Sequence, residues 1–289
     1  MANLQQLKLR KNSIQNIGKI TNAMQLVATS KSAKAIAALE HSRNYYLESE
    51  KMLKKILEVS NSKLFDIKPS NYKEGTLWIL ISSDMGLCGS FNNQIFKLFD
   101  EQKKGKNDLY ITVGSKAANY LKRKKIKIID NFKISKGDLF EYISSRISKT
   151  IIDKIKEGSI SDVKIIYTQF INQLNSMPIV FDLYPLSYEN RIADKKVDTL
   201  KKNKIETKQL ENELTEKKDI IKFIEFYINA LINGFMNEST ASEQVTRRVS
   251  MENATNNSKD LVDSLSIEYN RKRQSSITSQ INEIVGGTQ

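Results

Sequence analysis

The sequence predicts an α/β middle domain, Rossmann-like with a mostly parallel sheet, carried on a long antiparallel coiled coil of the N- and C-terminal helices. Three observations carry this expectation. Both flanks of the 289-residue chain lack proline, and only Gly18, Gly234 and the terminal Gly286-Gly287 interrupt them with glycine. Proline costs a helix interior about 3 kcal/mol and glycine about 1, so both flanks are free to run on as helices. In the middle, where Pro69, Pro178 and Pro185 all fall, β-branched and aromatic runs alternate with helix-length connections, the pattern of an α/β domain. Two long helices at opposite ends of one chain most simply bury their apolar stripes against each other, as a shaft bearing a domain.

The first helix is expected from about Leu4 to Val59 within an N-terminal segment of residues 1–60. Apolar or small residues recur there at Ile14, Ile17, Thr21, Met24, Ala28, Lys31, Ala35 and Ala38, in steps of three and four. The seam is alanine-rich and broken by Thr21 and Lys31. At ~1.5 Å per residue such a helix is about 80 Å long.

The middle domain, residues 75–188, carries strand runs at Thr76–Ser83, Leu109–Val113, Ile126–Ile129, Val163–Phe170 and Pro178–Leu183. Helical stretches at Asn92–Lys103, Lys116–Lys124 and Leu139–Glu157 lie between several of them, and the last two strands read as an antiparallel pair joined by Asn172–Met177. Residues 189–219 are dense in mixed charge and read as a solvated linker or helix start. The second long helix fills residues 220–289, with a stripe at Val245, Val249, Leu261, Val262, Leu265, Tyr269, Ile277, Ile281 and Ile284.

Lysine and arginine total 46 against 33 acidic residues, a net charge of +13, which predicts an acidic partner: nucleic acid, an anionic membrane, or a protein with acidic patches. The excess is concentrated at the start, where Lys8, Arg10, Lys11, Lys19, Lys31 and Lys34 precede the first acid, Glu40. The single cysteine, Cys88, excludes an internal disulfide and fits a reducing compartment. No run approaches the roughly 20 apolar residues of a membrane span, and the start has no apolar signal core. These features predict a cytoplasmic chain.

The motifs offer little chemistry. Ser83 to Asn92 (SDMGLCGSFN) follows a strand and precedes a helix, where phosphate loops stand. It lacks the GxGxxG spacing, and GxxxxGK[ST] occurs nowhere, so it reads as a structural turn. The one histidine, His41, cannot build a metal site or a triad by itself. Asp84 at a strand end has no accompanying metal motif. The basic stretch before Glu40 has no interleaved aromatics of the kind that stack on nucleic-acid bases.

Three stretches taken together resemble the gamma subunit of F-type ATP synthases. Lys19-Ile20-Thr21-Asn22-Ala23-Met24-Gln25-Leu26-Val27-Ala28-Thr29-Ser30-Lys31 is similar to the family's KIT-x-AM-x-x-VA-x-SK. Ser83 to Asn92 is similar to SDRGLCGGFN. Ala241-Ser242-Glu243-Gln244, Asn253 to Asn257, Tyr269-Asn270-Arg271-Lys272-Arg273-Gln274, Ile277-Thr278 and Glu283 to Gly287 follow in the family's order.

The resemblance implies a bacterial central-stalk rotor subunit, with no catalytic, cofactor-binding or metal-ligating residues of its own. Its partners would be the alpha and beta subunits of the catalytic hexamer, an epsilon-type subunit and the membrane rotor ring, with no nucleic acid among them. Its place would be the cytoplasmic, inner face of the cell membrane. Met24 would lie near an acidic loop of a beta subunit, and Arg273, Gln274 and Thr278 would touch the beta subunit's catch loop. Lys8, Arg10 and Lys11 would complement acidic residues of the surrounding sleeve. A polar, alanine-rich exterior would suit a shaft that must turn without sticking.

One segment departs. The family's aromatic Tyr-x-(Tyr/Phe)-Glu-Pro stretch, a contact with the membrane ring, corresponds to Lys208-Gln209-Leu210-Glu211-Asn212. Glu211 is retained as a ring-side contact, while the aromatics and proline are absent. The same stalk in a paralogous F-type-like motor, uncoupled from an ion-conducting ring, therefore stays open. Two rivals from other classes also stay open: a basic coiled-coil protein that binds nucleic acid, and a nucleotide-using α/β enzyme.

Overall fold

Thr76–Ile81 is apolar at nearly every position and buried from Leu77 onward, as a strand covered on both faces must be. In the computed structural model, which describes residues 2–59, 67, 69, 72–134, 140–173, 175–186 and 217–286, this strand, β1, is central. The order of elements is α1 (Ala2–Val59), β1 (Thr76–Ile81), α2 (Phe91–Glu101), β2 (Leu109–Val113), α3 (Ser115–Arg123), β3 (Asp130–Phe132), α4 (Phe140–Lys156), β4 (Asp162–Phe170), β5 (Ser176–Tyr184) and α5 (Lys217–Gly286). The sheet runs β3-β2-β1-β4-β5. β1 pairs in parallel with β2 and β4, β2 pairs in parallel with β3, and β5 closes the edge antiparallel to β4. The mostly parallel α/β sheet and the two long terminal helices are those the sequence predicts.

The third strand is the exception. It was expected at Ile126–Ile129 and lies at Asp130–Phe132 instead. Ile126 and Ile128 are spent on packing beside Leu121 and Phe96, and the Ile129 amide bonds Tyr110 O at 2.8 Å before the ladder begins. Register with β2 (Ile111 opposite Asp130) therefore selects less β-prone residues.

The chain forms two compact units, Ala33–Glu243 and Met1–Ser32 with Gln244–Gln289. In the first, the alternating side chains of β1 divide between two cores. Leu77, Ile79 and Ile81 point into a cluster with Ile147, Ile151 and Ile155 of α4, Leu53 and Ile56 of α1, and Ile224, Tyr227 and Ile228 of α5. Trp78 and Leu80 point the other way, against Phe91, Ile95 and Phe99 of α2 and Leu121 of α3. The buried indole is satisfied: Asp108 accepts from Trp78 Nε1 at 2.9 Å, from the Thr76 amide at 2.9 Å and from the Gly105 amide at 2.8 Å. One carboxylate thus ties the entry of β1 to the loop before β2.

In the second unit, α1 and α5 pack with opposed numbering. Thr21 and Thr255 share a hydroxyl hydrogen bond of 2.9 Å, and a Cβ on Gly18 would stand 3.2 Å from Ser258 Cβ. Inward positions on α5 are Met251, Thr255, Ser258, Val262, Leu265 and Tyr269, the alternating steps of four and three of a coiled-coil seam. Several residues of the expected stripes fall outside it: Ile17, Lys31, Ala38, Val249, Leu261, Ile277 and Ile281 are exposed, and the side chain of Ile284 is outside the described residues. The small residues Gly18, Thr255 and Ser258 bring the backbones close and set the phase, which turns the larger aliphatics outward.

Candidate functional site

Two regions held sequence-predicted residues: the loop after β1 and the surface of the helix pair. The loop after β1 is organised by its own side chains. Asn92 Nδ2 donates to Ser83 Oγ at 2.7 Å and to Cys88 Sγ at 3.2 Å, and the Ser83 amide donates back to Asn92 Oδ1 at 3.1 Å. Leu87 and Gly89 take positive φ, 63° and 57°. Asp84 accepts from Ser115 N at 2.8 Å, Ser115 Oγ at 2.7 Å and Ile134 N at 2.5 Å. Its oxygens pin the start of α3 and the strand exit after β3, the work of a structural carboxylate. Cys88 is buried. Among the described residues there is no group of three or more His, Cys, Asp or Glu side chains arranged to hold a metal. His41 stands exposed on α1.

The helix-pair surface is different. Arg273, Gln274 and Thr278 are all exposed on α5, and Thr278 Oγ1 donates to Gln274 O at 3.0 Å, one helical turn back. An i, i+4 pair lies on one helix face, so Gln274 and Thr278 present together. Met24 on α1 is half-buried, while Leu26 and Val27 beside it are 65 % and 56 % exposed. Lys8 and Arg10 are exposed and Lys11 is half-buried. Glu211 lies outside the described residues.

The exterior of this helix pair is polar at most positions, as expected, but it also carries large aliphatics. Leu9, Ile17, Ile20, Leu26, Leu261 and Ile267 all face outward, Ile267 at 72 % exposure. These aliphatics are available to a partner that covers both helices. Sequence reasoning missed them because the aliphatics were assigned to the seam.

A second missed site is buried. Glu238 on α5 is 3 % exposed and accepts from Tyr46 Oη of α1 at 3.3 Å. Burial pushes its carboxyl from the usual 4.5 up to about 7, with Arg43 and Tyr46 opposing. Tyr46 is pushed up to about 12, by burial first and by Glu238 next. The one signal in the sequence was an acid set two residues after a mostly apolar helical run, Ile228 to Met236. No helix among the described residues is long and apolar enough to cross a membrane.

The comparisons agree with one another. The profile of the ATP synthase family matches residues 3–289. The chain is 36% identical over 288 residues to the ATP synthase gamma chain of Mycoplasma capricolum, covering 99% of this chain and 98% of that one. It is 32% identical over 297 residues to the sodium ion specific ATP synthase gamma chain of Acetobacterium woodii, again covering 99% and 98%. Among solved structures, it is similar in fold to a chain of the OSCP/F1/c-ring assembly of the Euglena gracilis mitochondrial ATP synthase, with a TM-score of 0.69 at 17% identity, covering 99% of this chain and 94% of that one. With a full-length profile match and identities above 30% across nearly the whole chain, this protein belongs to the gamma-chain family of ATP synthases, the non-catalytic rotor subunit of the central stalk.

Proposed function

We propose that this chain is the axle between an alpha/beta catalytic hexamer and a downstream partner, and that its helix-pair unit is the part the hexamer encloses. The observation that carries the reading is the outward apolar surface on both helices of that unit, Leu9, Ile17, Ile20 and Leu26 on α1 with Leu261 and Ile267 on α5. Apolar area of this kind costs roughly 25 cal/mol per Å² when left in water, and an encircling sleeve would cover it. Arg273, Gln274 and Thr278, exposed on α5, are assigned to the beta subunit's catch loop: the guanidinium offers a rigid fork for carboxylates. Met24 is assigned to the acidic loop of a beta subunit, and Lys8, Arg10 and Lys11 to acidic sleeve residues.

In the same reading, residues 1–60 and 220–289 are the shaft segments, 75–188 the globular domain and 189–219 the charged linker. An epsilon-type subunit and a membrane ring are its downstream partners, Glu211 is a ring-side contact, and the complex sits on the cytoplasmic face of the membrane. A second reading rests on residues 208–212, where the family's aromatics and proline are missing: the same stalk in a motor that lacks the ring. Affinity purification of the intact complex through this chain separates the two. Ring subunits recovered with the hexamer support the first reading, and a hexamer recovered without them supports the second. Recovery of this chain without alpha and beta subunits contradicts both.

A further inference from the structure

Glu238 is a carboxyl placed where an ion is costly. It faces α1 and β4 from the sheet-bearing part of α5 and is almost wholly buried. Tyr46 Oη donates to its Oε1 at 3.3 Å, the Tyr167 side chain and the Phe170 backbone also hydrogen-bond the carboxylate, and its Oε2 has no hydrogen-bond partner. A carboxylate offers about four acceptor positions, so a buried Oε2 without a partner leaves an ionised group poorly solvated on that side. The charged and titratable groups around it are Arg43 and Tyr46 on α1 and Tyr167 on β4, with the Phe170 backbone beside them, and together they offset only part of the burial.

The local packing is built for this contact. Gly234 lies one turn before Glu238, and a Cβ there would stand 2.7 Å from Tyr46 Cδ1. The glycine lets the Tyr46 ring rest on α5 so that its hydroxyl reaches the acid. On the other side, Tyr167 stacks on Phe235 at 4.2 Å between centroids, and Ser242 Oγ donates to Thr168 O at 3.5 Å. Thr168 Oγ1 and Ser239 Oγ in these elements are also buried without partners. Under-satisfied polar groups in a packed interface call for a physical reason.

We propose that Glu238 is a protonation-controlled latch that holds α1 and β4 against α5, closed when the carboxyl carries a proton and loosened when it ionises. The protonated group is a neutral donor and acceptor that suits a dry interface. The ionised group demands water, and admitting it parts the three elements around Tyr46 and Tyr167. The sheet-bearing unit then grips its helices more tightly in mildly acidic than in alkaline solution.

Peptide-resolved hydrogen exchange on the full chain tests this, using the unsubstituted protein and Glu238→Gln from about pH 5.5 to about pH 8.5. After correction for intrinsic exchange, protection of peptides holding Tyr46, Tyr167 and residues 234–243 should fall roughly tenfold as pH rises. Glu238→Gln should abolish that fall. Equal pH dependence in both chains, or none in the unsubstituted one, overturns the latch. A carboxyl-carbon titration of the unsubstituted chain is independent of how the variant folds. One glutamate titrating near neutrality supports the proposal, and all glutamates titrating in the ordinary carboxylate range overturns it.

Discussion

Gly18 and Gly234 interrupt helices that otherwise avoid glycine, and each is a place where a neighbouring side chain comes too close for a Cβ to be free. The Gly234 site is the tighter. Gly234→Ala puts a methyl 2.7 Å from the Tyr46 ring, an overpacking that costs about 1–3 kcal/mol. Thermal unfolding should report it as a lowered Tm.

For Glu238 itself the sign is definite. Its folded carboxyl titrates at about 7, above the ordinary 4.5. The destabilisation is absent below about pH 4.5, grows as the group ionises, and is complete above about pH 7. A displacement of this size corresponds to on the order of 3 kcal/mol. Urea unfolding of the native chain and Glu238→Gln should therefore diverge by that order across this window, the native chain losing stability as pH rises. Parallel curves would contradict the assignment. Arg273 behaves oppositely: it is exposed, so Arg273→Ala should leave stability within about 0.5 kcal/mol, while ATP hydrolysis by the assembled complex loses its coupling to rotation.

At the scale of elements, the junction between β1, α3 and β3 depends on one carboxylate. Asp84 accepts from two backbone amides and one hydroxyl at 2.5–2.8 Å. Asp84→Ala removes the acceptor of both half-buried amides, a loss of up to about 1–3 kcal/mol. The midpoint of urea unfolding should fall accordingly.

The elements also show what was legible beforehand. The buried strands β1, β2 and β4 could be read directly from continuous apolar runs, and both long helices from the absence of proline. β3 could not, since its residues Asp130, Asn131 and Phe132 are chosen by register with β2 and not by propensity. The helix-pair seam was half legible: Thr21, Met24, Ala28, Val262, Leu265 and Tyr269 fall on or near it, whereas Ile17, Leu261, Ile277 and Ile281 do not. Aliphatic periodicity marks a buried face only when burial is within the chain. Here a second apolar face looks outward, and a single sequence cannot say which stripe is covered by its own partner helix. Glu238 was missed for the converse reason, since an acid in a helix reads as solvated until its neighbours are known.

At the scale of the whole molecule, net charge, the outward apolar face and the family assignment converge. A chain of +13 with a basic, acid-free first stretch should associate with an acidic sleeve at rates that fall with added salt, while the apolar contact should hold the complex once formed. The measurement that tests the central claim most directly is reconstitution of the purified chain with alpha and beta subunits, followed by size-exclusion chromatography and rotation of a probe fixed to the globular domain during ATP hydrolysis. The account predicts a stable complex in which the probe turns in one direction and Leu26 and Ile267 become protected from solvent. Alpha and beta subunits that assemble without retaining this chain, or a retained chain whose probe stays still while ATP is consumed, would contradict it.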